Sequence, residues 1–163
     1  MTGDHIAEHF GRPMQARSGH GAHEQSLSLN VLYTNPEATA VALQTAESLA
    51  RDLQATIHVR AMVSVPCRLS IDNPPVSTPF LVRLLREIVE RFGSAARQYV
   101  LHIYVCRSRI DTLLRVLRPS SLIVIGGRRR LWPTAETRLS KAAAAAGHSV
   151  AFVDSKAFQL ETR

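Results

Sequence analysis

Long apolar runs are missing from this sequence. None approaches the roughly 18 residues that a membrane-spanning helix needs, which excludes an integral helical membrane protein. Cysteine is scarce. Cys67 and Cys106 lie far apart and make neither a disulfide framework nor a zinc site. Aromatic residues are only 6% of the chain, a thin supply of stacking platforms for nucleic acid. Residues Met1 to Gln25 hold no apolar stretch of the signal-peptide kind, so secretion is not expected. What is present, 163 residues at 45% hydrophobic composition, suffices for one domain with its own core. A soluble protein of the cytoplasm is expected.

Acidic residues are also few. Thirteen oppose twenty basic ones, for a net charge of +7. The basic residues are almost all arginine, Lys141 and Lys156 being the two lysines. They are unevenly placed: from Arg97 to Lys141 ten basic residues face only Asp111 and Glu136. One stretch thus carries the positive charge, which favours an anionic partner. Arginine replacing lysine almost throughout also fits a coding bias, with scattered guanidinium groups simply solvated.

Residues 1–25 contain four of the seven histidines and several glycines, with little that could be buried. They read as a mobile tail. The tail includes His5-Ile6-Ala7-Glu8-His9, an H-x-x-E-H match. That zinc-peptidase pattern needs a helix inside a domain and a third ligand, and a tail offers neither.

From residue 26 to 155 the pattern is regular. Leu27, Leu29, Val31 and Tyr33 alternate as a first strand, ending at Thr34-Asn35-Pro36. Ala38, Ala42, Ala46, Leu49 and Leu53 then recur at helical spacing. Ile57 to Val65 alternates as a second strand, followed by a long loop from Pro66 to Ser77. Thr78-Pro79 opens a second helix with Leu81, Leu84, Leu85, Ile88 and Phe92 as its stripe, and Gly93 ends it. Val100, Leu101, Ile103 and Val105 make a third strand. Ser108 to Asp111 resembles a capping box before a short helix that stops at Pro119. The fourth strand, Leu122-Ile123-Val124-Ile125, is unbroken apolar sequence entering Gly126-Gly127, the pattern of a strand covered on both faces. A helix from Thr134 to Ala146 and a fifth strand from Val150 to Val153 complete the domain, leaving 156–163 as an extension. This alternation predicts an α/β fold, a three-layer sandwich around a five-stranded parallel sheet with right-handed crossovers.

In such a sheet, ligands sit beyond the carboxyl ends of the strands where the winding reverses. Two strand ends carry suitable chemistry. Thr34 and Asn35 follow the first strand, and Gly126-Gly127-Arg128-Arg129-Arg130 follow the fourth. Glycine admits a phosphate close to backbone amides, and guanidinium groups pair with it in a fork. The loop is neither a Walker sequence nor the dinucleotide fingerprint. A Gly-Gly turn followed by solvated arginines is the simpler alternative.

The stretch from Leu27 to Val153 resembles the universal stress protein family. The resemblance lies in the order of elements, the helix entrance Asn35-Pro36-Glu37-Ala38-Thr39, the long loop after the second strand, and the L-I-V-I-G-G end of the fourth. It implies the strand order 3-2-1-4-5, which brings the first and fourth strand ends together. ATP-binding members carry an aspartate at the end of the first strand; Thr34 stands at that position here. Their G-x-x-G, nine residues, G-S/T motif begins at Gly126, but Arg129 replaces the second glycine. The closing Gly-Ser falls near Glu136-Thr137, where only the hydroxyl of Thr137 survives. The resemblance therefore implies the branch without tight ATP binding, with no bound cofactor and a small anion as the ligand of the site. A diverged nucleotide binder is the alternative.

Other chemistry is poorly supported. Cys67 and Cys106 near the ends of adjacent strands, with His58 and His102 on those strands, suggest a thiol–histidine pair or a redox switch. Each histidine, however, alternates with apolar residues as a satisfied sheet histidine does. A phosphoacceptor domain would need carboxylates where Thr34 and Cys106-Arg107 stand. An arginine-rich nucleic-acid-binding module is the rival from another class, but Tyr99, Tyr104 and Trp132 are its only stacking candidates in the basic stretch. The expectation is thus a non-enzymatic, universal-stress-like protein. Its fifth strand, Val150-Ala151-Phe152-Val153, lacks lysine, proline or an inward charge. Such an edge is a template for pairing, and members of the resembled family dimerise there, so a homodimer is expected. Folding back of Ala157 to Leu160 over that edge is the competing arrangement.

Overall fold

Alternating strand and helix signals impose a parallel sheet, because each crossover returns the chain to the same end of the sheet. The computed structural model describes residues 6–10, 28–51, 55–128 and 133–155. Its strands are β1 (Ile6–Phe10), β2 (Ser28–Leu32), β3 (Thr56–Ser64), β4 (Tyr99–Cys106), β5 (Leu122–Gly127) and β6 (Ser149–Asp154). Its helices are α1 (Pro36–Leu49), α2 (Thr78–Phe92), α3 (Arg109–Val116) and α4 (Ala135–Ala145). The strands form one parallel sheet in the order β1-β4-β3-β2-β5-β6. The five expected strands are β2 to β6, and among themselves they take the order 3-2-1-4-5.

The first strand of the sheet lies where the sequence suggested only a mobile tail. Ile6–Phe10 pairs with β4, Ile6 opposite Tyr99 and Phe10 opposite Ile103. The physical reason is the outer edge of β4, whose backbone groups would otherwise lack partners. A five-residue alternation bounded by glycine and charge was too short a signal to find it. The H-x-x-E-H match, already set aside on the sequence, runs into this strand rather than a helix. His5 and the rest of the expected tail, like the 156–163 extension, lie outside the described residues.

The helices start where the chain supplies caps. Asn35 Oδ1 accepts the Ala38 N–H at 2.9 Å and Pro36 occupies the first turn of α1. Ser108 and Thr134 hydroxyls accept the N–H groups of Asp111 and Thr137 at the starts of α3 and α4. After α4 the chain turns at Gly147, whose φ of 87° a side chain would strain. Strand period two then divides the core. Leu29, Val31, Ile57, Val59 and Leu101 pack with α1 and α2 residues such as Leu43 and Leu85 on one face. Leu32, Met62, Tyr104, Ile123 and Ile125 pack under Leu113 and Leu139 of α3 and α4 on the other. Ile123, Val124 and Ile125 are wholly buried, as expected for an apolar strand covered on both sides.

At the amino end of the sheet, a buried Tyr99 joins three segments. Its hydroxyl donates to Glu47 Oε1 and accepts the Ser94 N–H at 2.6 Å, while Glu47 Oε2 pairs with Arg97 Nε at 2.9 Å. At the opposite end, α1 lies directly on β5. A Cβ added to Gly126 would sit 1.9 Å from the Ala38 carbonyl oxygen. Both partners are backbone, so neither can move aside alone. Gly126→Ala is expected to cost about 3 kcal/mol, read as a lower urea midpoint with an unchanged slope.

Candidate functional site

β2 and β5 are neighbours whose following helices leave on opposite faces, so the crevice between their carboxyl ends is the switch point of the sheet. Several of the expected residues meet there. Thr34 follows β2 and its hydroxyl donates to the Gly126 carbonyl at 2.8 Å, tying the two strand ends together. The Thr34 N–H donates to Thr39 Oγ1 at 3.2 Å. Asn35 spends its carbonyl oxygen on the α1 cap. Gly126 admits the α1 backbone, and Gly127 admits the Phe152 ring, which a Cβ there would approach to 2.9 Å.

The open space beside these residues is a cleft of about 440 Å³ lined by Asn35, Pro36, Glu37, Arg128 and Ser155. Arg128 is exposed. Arg129 and Arg130 lie outside the described residues. Thr137 sits in the first turn of α4, where its hydroxyl is 3.1 Å from Thr134 Oγ1 and its N–H is held by the same oxygen. Among the described residues, the cleft thus holds one guanidinium, one carboxylate and the Asn35 amide. Sequence reasoning had not placed Glu37 or Ser155 there. Glu37 follows Pro36 in the first turn, and the turn itself brings it to the rim.

The thiol–histidine pair does not form. Both cysteines are free, Cys67 exposed and Cys106 buried at the end of β4 beside a recess of about 370 Å³. His102 lies four residues earlier on β4, roughly 13 Å away along the strand. Burial pushes the Cys106 thiol up, against a Thr112 hydrogen bond and the nearby Arg109 charge, so the thiol form is favoured rather than the nucleophilic thiolate. Among the described residues no group of three or more His, Cys, Asp or Glu side chains is arranged to hold a metal.

The histidines instead belong to a polar row on the α3/α4 face of the sheet. His58 Nδ1 and His102 Nε2 are 2.9 Å apart, so one ring donates to the other. Arg60 Nε donates to Asn30 Oδ1 at 2.8 Å and Arg60 Nη1 to the Tyr104 hydroxyl at 2.7 Å. Asn30 Nδ2 donates onward to the Leu122 carbonyl at 3.3 Å. Sequence reasoning noticed the two histidines but missed Asn30 and Arg60. The available signal was a polar residue at every second position, Asn30 between Leu29 and Val31, His58 and Arg60 between Ile57 and Ala61.

Burial, then the charges of Arg60 and Arg118, hold the His58 pKa down to about 4. Arg60 is lowered by burial, opposed by Tyr104, and Tyr104 is raised by burial, opposed by Arg60. His58 is therefore neutral when folded and takes up a proton on unfolding below about pH 6.5. Stability is full above that pH and falls as the pH drops toward 4. Below that, His58 is charged in both states and its contribution is lost. His58→Gln should flatten the fall in urea midpoint between about pH 7 and pH 4.5.

No protein-family model matches the sequence, and no curated protein does. Solved structures do match. The chain is similar to a universal stress protein from Archaeoglobus fulgidus, with TM-score 0.56 and 16% identity over 78% of this chain and 93% of that one. It is likewise similar to a universal stress protein in complex with cAMP, with TM-score 0.53 and 16% identity over 79% of this chain and 97% of that one.

Proposed function

We propose that this chain, which has the fold of the universal stress proteins, is a non-enzymatic stress-response protein of the cytoplasm. It acts as a homodimer and senses a small anion at the switch-point cleft, with tight ATP binding lost. The observation that carries this reading is the bond from Thr34 to the Gly126 carbonyl. In ATP-binding members, by the resemblance drawn above, an aspartate at this position meets the nucleotide. Here the side chain is a hydroxyl already engaged across the crevice. Glu37 adds a negative charge to the rim, which opposes a triphosphate more than a singly charged group. By the same resemblance, Arg129 replaces the second motif glycine, which in ATP-binding members lets backbone approach phosphate. Non-enzymatic function is supported by the neutral, buried Cys106 and by the internal hydrogen bonds of the Thr34 and Thr137 hydroxyls.

Thermal unfolding with ATP, AMP, cAMP and inorganic phosphate tests the cleft. A cyclic nucleotide is included because one structural neighbour holds cAMP. We expect no stabilisation of several degrees by ATP; such a rise would restore the diverged nucleotide-binder reading. Any anion response of the cleft should weaken in the Arg128→Ala/Arg129→Ala double variant. The exposed Arg128 contributes little to folding, so each substitution should change stability by no more than about 0.5 kcal/mol.

The dimer reading rests on β6. It lies at one end of the sheet, and Val150, Ala151, Phe152 and Val153 remain half-buried. Two copies paired antiparallel about a two-fold axis would satisfy each other's edge. Ala157 to Leu160, the segment that would compete for this edge, lies outside the described residues. Sedimentation at micromolar concentration should give twice the 18.0 kDa chain mass, and Ala151→Pro, checked for native circular dichroism, should shift it toward monomer. A monomeric unmodified protein would refute the pairing.

A further inference from the structure

Between Arg97 and Lys141 the chain carries ten basic residues against Asp111 and Glu136, and the fold turns this imbalance along the sequence into one in space. The two helices of that stretch, α3 and α4, pack beside each other over the same face of the sheet. Arg115 on α3, Arg118 just after it, and Arg138 and Lys141 on α4 are all exposed. Arg138 and Lys141 are three residues apart and share one side of their helix, while Leu139 and Ala143 face the core. Asp111 and Glu136 sit in the first turns of α3 and α4, where a carboxylate answers the positive end of the helix. The opposite layer is mixed. On α2, Arg83, Arg86 and Arg91 are interspersed with Glu87 and Glu90, and Arg97 is held by Glu47 of α1. Among the described residues, the excess positive charge therefore gathers on the α3/α4 side.

The chemistry of this face narrows the partner. Among the described residues the exposed large apolar side chains are Leu49, Leu69, Val76 and Phe80, on α1, on α2 or in the loop before α2, and none is on α3 or α4. A bilayer surface would want such groups beside the charges. A single nucleic-acid strand would want aromatic platforms, yet Tyr99 and Tyr104 are buried in the sheet, and Trp132 lies outside the described residues. A duplex needs neither. Its bases are already stacked, and contacts to its phosphates supply affinity whatever the base sequence. Packed helices lie about 8–10 Å apart, between the roughly 6 and 12 Å widths of the two duplex grooves. Cations on α3 and α4 are therefore spaced to meet phosphates of both strands.

We propose that the α3/α4 face binds a nucleic-acid duplex through its phosphates, with Arg115, Arg118, Arg138 and Lys141 as contacts and without reading base sequence. The three guanidinium groups supply forked, charge-assisted bonds to phosphate oxygens and the lysine a point charge. Each contact releases a counterion from the duplex, so affinity falls steeply with salt. This surface shares no residue with the cleft lined by Asn35, Pro36, Glu37, Arg128 and Ser155, and it does not depend on what that cleft binds.

The test uses the full chain and a short fluorescent DNA duplex of arbitrary sequence, with binding followed by anisotropy. Contacts by these side chains predict that affinity drops roughly a hundredfold between about 50 and 200 mM salt. Two triple variants then separate position from net charge. Arg115→Ala/Arg138→Ala/Lys141→Ala removes three cations from this face, and Arg51→Ala/Arg68→Ala/Arg83→Ala removes three exposed ones from elsewhere. The first should flatten the slope of log affinity against log salt by about three, and the second should change it by less than about one. Native circular dichroism is expected of both, since every replaced side chain is exposed. Should the first triple fold poorly, Arg115→Ala and Lys141→Ala taken singly should each lower the slope by about one. Absence of binding at the lower salt overturns the proposal, as does equal weakening by the two triples. Tighter binding of a single strand of the same length, or of phosphatidylglycerol vesicles, overturns the duplex as partner.

Discussion

The contact between Gly126 and the backbone of α1 sets the position of everything at the carboxyl end of the sheet. With the Ala38 carbonyl where a Cβ of residue 126 would stand, helix and strand approach as closely as backbone allows. That approach brings Asn35 and Pro36 to the crevice and lets Thr34 reach the Gly126 carbonyl. It also uses the glycine. A glycine that in a phosphate loop would expose its amide to a ligand here serves to seat a helix, and Gly127 in the same way seats Phe152.

The second constraint is electrostatic. Most of the α3/α4 face is apolar, yet Asn30, His58, Arg60, His102 and Tyr104 form one connected hydrogen-bonded row across β2, β3 and β4. A polar network in low dielectric is stabilising only when each member is satisfied. Tyr99 with Glu47 and Arg97 meets that condition, since a carboxylate balances the guanidinium. Arg60 is hydrogen-bonded as well, but to partners that carry no charge. The same fold therefore holds one arginine paired with a carboxylate and one held by neutral acceptors.

Much of the architecture was legible in the residues. Apolar alternation located β2, β3 and β4, an unbroken apolar run located β5, and Asn35, Ser108 and Thr134 marked helix starts, because strand period, burial on both faces and capping are local properties. β1 was not legible. Five residues with a histidine and a glutamate become a strand only because β4 has a free edge beside them. Strand ends pointed to Thr34, Asn35, Gly126 and Arg128, of which Asn35 and Arg128 line the cleft, whereas Glu37 and Ser155 join them through the turn of α1 and the course of β6.

The sequence by itself determined the fold class, the number and order of the main elements, and the end of the sheet at which a ligand would be sought, since hydrophobic period and turn residues act over a few neighbours. Tertiary structure decided what the polar residues do. Whether Gly126 faces a ligand or a helix, whether His58 meets a cysteine or His102, and whether Arg60 meets a carboxylate or a tyrosine are set by register between strands distant in sequence. Register is a property of paired strands, and no single segment encodes it.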